Sequence, residues 1–213
     1  MLEVFLKILP LAIASAASPI ILAATVALLS KKNFGCAFSF LAGCVLAAAV
    51  LAAVGISFAA EDDKVAESMG FSPSIFDIAI GALFLAFGIK VLVEKPAAKQ
   101  DVPRAGKSGG KIKWFAIGLI GSITNFDAAL LNITAVRAIF NSGIALLPKL
   151  SLLAFCDFFL LSPALLPIAL CILAPEKSQK LLVPVGNAMN KYGRYVVAAI
   201  FIIFGILLIK NGI

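Results

Sequence analysis

Apolar residues in this chain gather in long runs instead of alternating with polar ones, and the polar punctuation falls between the runs. Six runs occupy about residues 4–29, 35–60, 75–93, 114–138, 149–173 and 194–210. Runs near 18 residues or longer are what helices need to cross a hydrocarbon core roughly 30 Å thick. The pattern predicts an all-α membrane protein with six transmembrane helices. Pro10 and Pro19 are expected to break the first run. That run is too long for the core of a cleaved signal peptide and lacks a basic start, so it reads as a retained first helix. Residues 176–194 are weakly amphipathic and read as lying along the interface, with Asn187, Asn190, Tyr192 and Arg194 at headgroup level.

Composition agrees with the pattern. The chain is 62% hydrophobic and 14% charged, whereas soluble domains are about one quarter charged. A net charge of +7 raises nucleic acid as a partner, but the basic residues sit in short loops between apolar runs, which is topology and not a phosphate groove. Loops after the first, third and fifth runs hold twelve Lys and Arg, six of them between Lys95 and Lys113. The opposite side holds five: Lys7, Lys64, Arg137, Lys149 and Lys210. The acidic stretch "EDDKVAES" falls in a loop on that poorer side. The positive-inside rule therefore places both termini outside a cytoplasmic (inner) membrane and the 94–113 loop within the cell. Rich in Pro, Gly and Lys, that loop is a flexible linker between a first unit, 1–93, and a second, 114–213.

The two units echo one another. "ALFLAFGI" at 82–89 returns as "AIFIIFGI" at 199–206, and "FLAGCVL" at 40–46 as "LLAFCDF" at 152–158, with Cys44 matching Cys156. Three spans followed by three spans must insert in opposite orientations, so the architecture expected is two inverted three-helix repeats, with a substrate site where interrupted helices of both halves meet. The interrupted segments are "SAASPII" (15–21) in the first span and "SITNFDA" (122–128) in the fourth. Ser15 then aligns with Ser122, and Ser18 falls opposite Asn125.

Polar residues inside the apolar runs are costly and mark function by default. The candidates for substrate binding are Ser18, Pro19, Asn125, Asp127, Asn132 and Asp157. Pro19 would open the backbone toward a cavity, although Ser18 and Pro19 could equally mark a plain kink. Asp127 lies roughly 20 Å from the cytoplasmic start of its span and Asp157 roughly 12 Å from the outer start of its own. Both land at a similar height, so in a shared cavity they would repel until a proton or cation neutralised one. The structural alternatives are that Asp127 pairs with Asn132 or Arg137 for packing, and that Asp157 caps a kink near Pro163 and Pro167.

Other chemistries find little support. No His is present, so imidazole metal sites and a His base are excluded, and no metal or other cofactor is expected. Cys36, Cys44, Cys156 and Cys171 lack C-x-x-C spacing and read as small residues packed between helices. A thiol-redox conduit would need facing cysteines on the first helix of each unit, where Ser18 and Asn125 stand instead. Spans without Glu and without an ordered acid–base pair argue against an intramembrane hydrolase, so no enzymatic activity is expected. A structural subunit would tolerate the buried carboxylates without needing them. Small-residue faces permit a homodimer.

An N-terminal "SAASPIILAATVALLS", a basic turn and a Gly-containing second helix resemble the LysE superfamily of exporters. The tail narrows the likeness: "LLPIALCILAPEKSQKLLVPVGNAMNKYGR" and the terminal "FGILLIKNGI" resemble the GAP family, also called the Sap or sulfolipid-addressing family. The resemblance covers nearly the whole layout and implies six transmembrane helices, no enzymatic activity, and export or addressing of lipids, notably glycolipids. Asn125 matches an Asn-Pro pair expected in that family, but Phe126 replaces the Pro and Asp127 is extra. An added carboxylate suits a cationic group or proton coupling better than a neutral glycolipid. The combined expectation is an exporter of a lipid-linked or small polar solute, with amino-acid or cation export as the runner-up and protons as a candidate partner.

Overall fold

The computed structural model describes residues 1–30, 33–69, 73–93, 110–174, 184, 192, 195, 197–207, 209 and 210. Among the described residues there is no strand. The helices are α1 (Leu2–Ser15), α2 (Pro19–Ser30), α3 (Phe34–Met69), α4 (Pro73–Val93), α5 (Lys111–Thr124), α6 (Phe126–Phe140), α7 (Leu146–Leu173) and α8 (Val197–Leu207).

By length and composition this is a membrane-embedded helical protein. Phe34–Ala60 of α3 and the whole of α7 are each long and apolar enough to cross a bilayer. The pair α1 and α2, bent by 52°, and the pair α5 and α6, bent by 70°, make four spans if each pair counts as one. The stretches Gly81–Val93 of α4 and Val197–Leu207 are shorter apolar helices among the described residues.

The breaks differ from expectation in detail. Pro10 lies inside α1, so one of the two expected breaks in the first run is absent. The chain turns instead at Ala16–Ser18, just ahead of Pro19. Here the Leu22 N–H donates to the Ser18 carbonyl at 3.2 Å, and Pro19, which has no N–H to leave unpaired, occupies the first helical position. The acidic segment is also not a loop, because α3 continues as helix through it to Met69. The basic linker ends earlier than expected, since α5 begins at Lys111. The turn at Lys31 and Lys32, the linker over 94–109, and nearly all of 176–194, with Asn187, Asn190 and Arg194, lie outside the described residues.

Glycines set the closest approaches between helices, as expected where lipid offers no hydrophobic drive and contact itself must stabilise association. A Cβ on Gly43 would overlap the Phe115 carbonyl, and one on Gly118 the Phe40 carbonyl. Gly35 meets Lys111, and farther along Gly55 meets Ile133 and Val136. This order makes α3 parallel to the bent α5–α6 pair. In the same way α7 runs beside α1 and α2: Phe155 stacks on Phe5 with ring centroids 5.4 Å apart, and Ala164 and Ile168 pack with Ala24 and Leu28. The helices α4 and α8 are antiparallel, with Gly81 against Gly205 and Gly88 against Ala198. Between these contacts the fully buried rings of Phe84 and Phe201 meet edge to face at 5.0 Å.

Candidate functional site

Several hydroxyls among the described residues of the apolar helices are satisfied within their own helix. The Ser15 hydroxyl donates to the Ala12 carbonyl at 2.8 Å, Thr25 to Ile21 at 2.8 Å, Thr124 to Ile120 at 2.8 Å and Ser162 to Phe159 at 2.7 Å. Such back-bonding disposes of a hydroxyl in hydrocarbon and needs no ligand. Ser162, beside Pro163, gives its hydroxyl to the Phe159 carbonyl and not to Asp157.

Among the described residues, Ser18 with Asn125 and Asn132 with Asp157 reach between helices. The first joins the two breaks. Asn125 stands between α5 and α6 with φ −73° and ψ 73°, an inverse γ conformation. Its N–H closes α5 on the Gly121 carbonyl at 3.1 Å, and its own carbonyl opens α6 by accepting the Ala129 N–H at 3.0 Å. With its backbone spent on both helices, the side chain is free to cross. Asn125 Nδ2 donates to Ser18 Oγ at 2.8 Å, over 107 positions of sequence. Ser18 is buried at 2% exposure, and Pro19 follows it as the first residue of α2.

The second pair lies in the α6–α7 hairpin. Asn132 Nδ2 donates to Asp157 Oδ1 at 3.4 Å. Nearer the turn, Lys149 Nζ donates to the Phe140 carbonyl at 2.7 Å and fixes the same antiparallel register. Asn132 thus takes Asp157 as its partner. Asp127 is half-buried in the first turn of α6, where the positive end of the helix dipole stabilises a carboxylate. Phe126, standing where the family resemblance leads one to expect Pro, stacks on Phe87 at 5.5 Å, and Phe87 on Phe201 at 6.3 Å. The break is thereby tied to the α4–α8 pair. Among the described residues no group of three Cys, Asp or Glu side chains is placed to hold a metal.

One cleft, of about 390 Å³, lies elsewhere, between α1 and α8. Leu6, Lys7, Pro10, Ile200, Ile203, Phe204 and Leu207 line it, and none of the six sequence candidates does. Charge counting by loop treats Lys7 only as an end-of-span charge. Its place one turn before Pro10, within an apolar helix, was the available signal. The two aligned cysteines are held apart in packing: Cys44 belongs to the cluster around α2, α3 and α5, where its thiol contacts the Gly118 carbonyl at 3.7 Å, and Cys156 to the cluster around α1, α6 and α8.

The model of the Sap, sulfolipid-1-addressing protein, family matches residues 8–213. The chain belongs to the Sap family. No curated protein and no solved structure matches it. Membership covers both breaks and every polar pair described above, so the Ser18–Asn125 contact lies within the Sap region of the chain.

Proposed function

We propose that this Sap-family chain is an exporter within the LysE superfamily, moving a lipid-linked or small polar solute outward across the cytoplasmic membrane by alternating access. In this reading α1–α2, α3 and α4 form one repeat and α5–α6, α7 and α8 the other, inserted in opposite orientations as six spans with both termini outside. The observation that carries it is the Asn125–Ser18 hydrogen bond. It joins interrupted helices of the two halves, where inverted-repeat transporters place their substrates. The mutual packing supports it as well. The second span of each half lies along the first span of the other, and the third spans meet face to face around Phe84 and Phe201. A rigid subunit would have no need of two broken helices that meet.

Asp127, in the first turn after the break, favours one second reading, export of an amino acid or another cationic solute. Flux in proteoliposomes under an imposed proton gradient tests both, using a headgroup-labelled glycolipid, a labelled phospholipid and a cationic amino acid. The expected result is gradient-driven movement of the glycolipid but not the phospholipid. Asp127→Asn should reduce that flux to the protein-free level while inserting normally. Equal, gradient-insensitive movement of both lipids would mean passive scrambling and end the transporter reading. Full flux in the variant would remove Asp127 from the mechanism.

A further inference from the structure

We infer that Asn132 and Asp157 form a proton-binding pair, a carboxamide and a carboxyl group that are complementary only when the carboxyl is protonated. Asn132 is 2% exposed, and its Oδ1 is buried with no hydrogen-bond partner among the described residues. Buried acceptors are nearly always satisfied, so an orphan calls for a cause. Its Nδ2 is engaged, at a long 3.4 Å, with Asp157 Oδ1. An ionised carboxylate only accepts, whereas an amide brings both donors and an acceptor. Against a carboxylate, therefore, one end of the amide is served and the other is not. Turning the amide over would only set oxygen against oxygen. Adding one proton to the second oxygen of Asp157 resolves both ends. Its O–H donates to Asn132 Oδ1 while Asn132 Nδ2 keeps donating to Asp157 Oδ1, closing a two-bond ring. No electrons move, and the proton is one taken up from the aqueous phase on acidification; Asp157 itself is half-buried.

Location strengthens the argument. Asp157 lies eight residues beyond Lys149 and Asn132 eight before Phe140, so the pair sits about 12 Å below the clamped hairpin turn. Helices α1, α2, α3 and α6 pack on α7. Their described ionisable side chains are Glu3 and Lys7 on α1, Cys36 and Cys44 on α3, and Asp127 and Arg137 on α6. The helix α2 has none, and α7 itself adds Lys149, Cys156 and Cys171. Of these only Cys156 is sequence-adjacent to Asp157. It is buried and belongs to the apolar cluster that also holds Leu131, Ala135 and Leu152. As a coupling ion the proton rests on the transport reading; as an occupant of this pair it does not.

Infrared difference spectra of the full-length protein in lipid nanodiscs, taken between alkaline and acid pH without substrate or gradient, test the inference. The expected spectrum shows a protonated-carboxyl C=O band on acidification that is lost in Asp157→Asn. In Asn132→Leu the band persists but moves to higher frequency, because the acid has lost both hydrogen bonds. Asn132→Thr, retaining one acceptor, should fall between and serves if the leucine variant does not insert. Absence of the band in wild type, its survival in Asp157→Asn, or an unmoved band in the Asn132 variants would overturn the pair. So would loss of the band on adding sodium at fixed pH, which would assign the two oxygens to a metal cation. Because the readout is protonation and not flux, a normal spectrum with no transport would sink only the exporter reading.

Discussion

An alanine at position 81 puts the α4–α8 contact to a direct test. Its Cβ would stand 2.8 Å from the Gly205 carbonyl oxygen and 2.8 Å from Ile209 Cγ1, where ordinary contact begins near 3.4 Å. The isoleucine can rotate away, but a backbone carbonyl cannot, so the helices must part by about 0.6 Å. A gap of that size forfeits roughly a quarter of each dispersion well along the seam, and overpacking of this kind costs about 1–3 kcal/mol. Alanine regains about 0.5–1 kcal/mol over glycine in helix propensity, leaving a net loss near 1 kcal/mol. Gly205→Ala meets the reciprocal obstacle, the Gly81 carbonyl at 2.8 Å and Leu85 Cγ at 2.8 Å. One separation relieves both, so the double variant gains propensity twice and suffers the opening once. It should be no less stable than either single variant. SDS-induced unfolding in mixed micelles, followed by circular dichroism, reads these differences. Gly121→Ala, where nothing lies within 4 Å, is the control and should be neutral or stabilised by up to about 1 kcal/mol. If Gly81→Ala behaves like the control, or the two alanines destabilise additively within about 0.3 kcal/mol, the close glycine packing is wrong.

Two further outcomes follow from the polar and thiol contacts. In a Ser18→Ala, Asn125→Ala double-mutant cycle, the same unfolding assay should give a coupling of about 0.6 kcal/mol, the average for intramembrane side-chain bonds, and at most about 1.7; a coupling of zero would show that the breaks do not touch. Replacing all four cysteines by alanine should leave proteoliposome flux within about twofold of wild type, since the thiol contact of Cys44 is weak; complete loss would revive the redox conduit.

A membrane-embedded helical chain was legible because hydrocarbon demands long apolar runs, and α3, α7 and the two bent pairs carry four of them. Laying residues 15–21 against 122–128 also set Ser18 opposite Asn125, and these two side chains hydrogen-bond. What pattern could not supply was the choice among partners for a given polar group. Asn132 has Asp157 as its partner because the α6–α7 hairpin register places them level, and register depends on the turn at 141–145 and on Lys149 reaching Phe140. Pro10 was over-read: a proline in an apolar segment can stay helical where its neighbours re-satisfy the freed groups. The continuation of α3 to Met69 was hidden because charged residues look like loop in a membrane protein, while the Glu, Lys and Ala of this segment are good helix formers anywhere.

The pairing of α3 with a helix from the other half has a consequence during synthesis. Gly43 finds its contact at Phe115 and Gly118 its own at Phe40, some 75 residues apart on the growing polypeptide. At roughly 5–20 residues per second, the ribosome needs about 4–15 s to deliver α5 after α3 has entered the bilayer. For that interval the notch at Gly43 stands against acyl chains, and the first half of the molecule waits, threaded but unassembled, for the second to arrive.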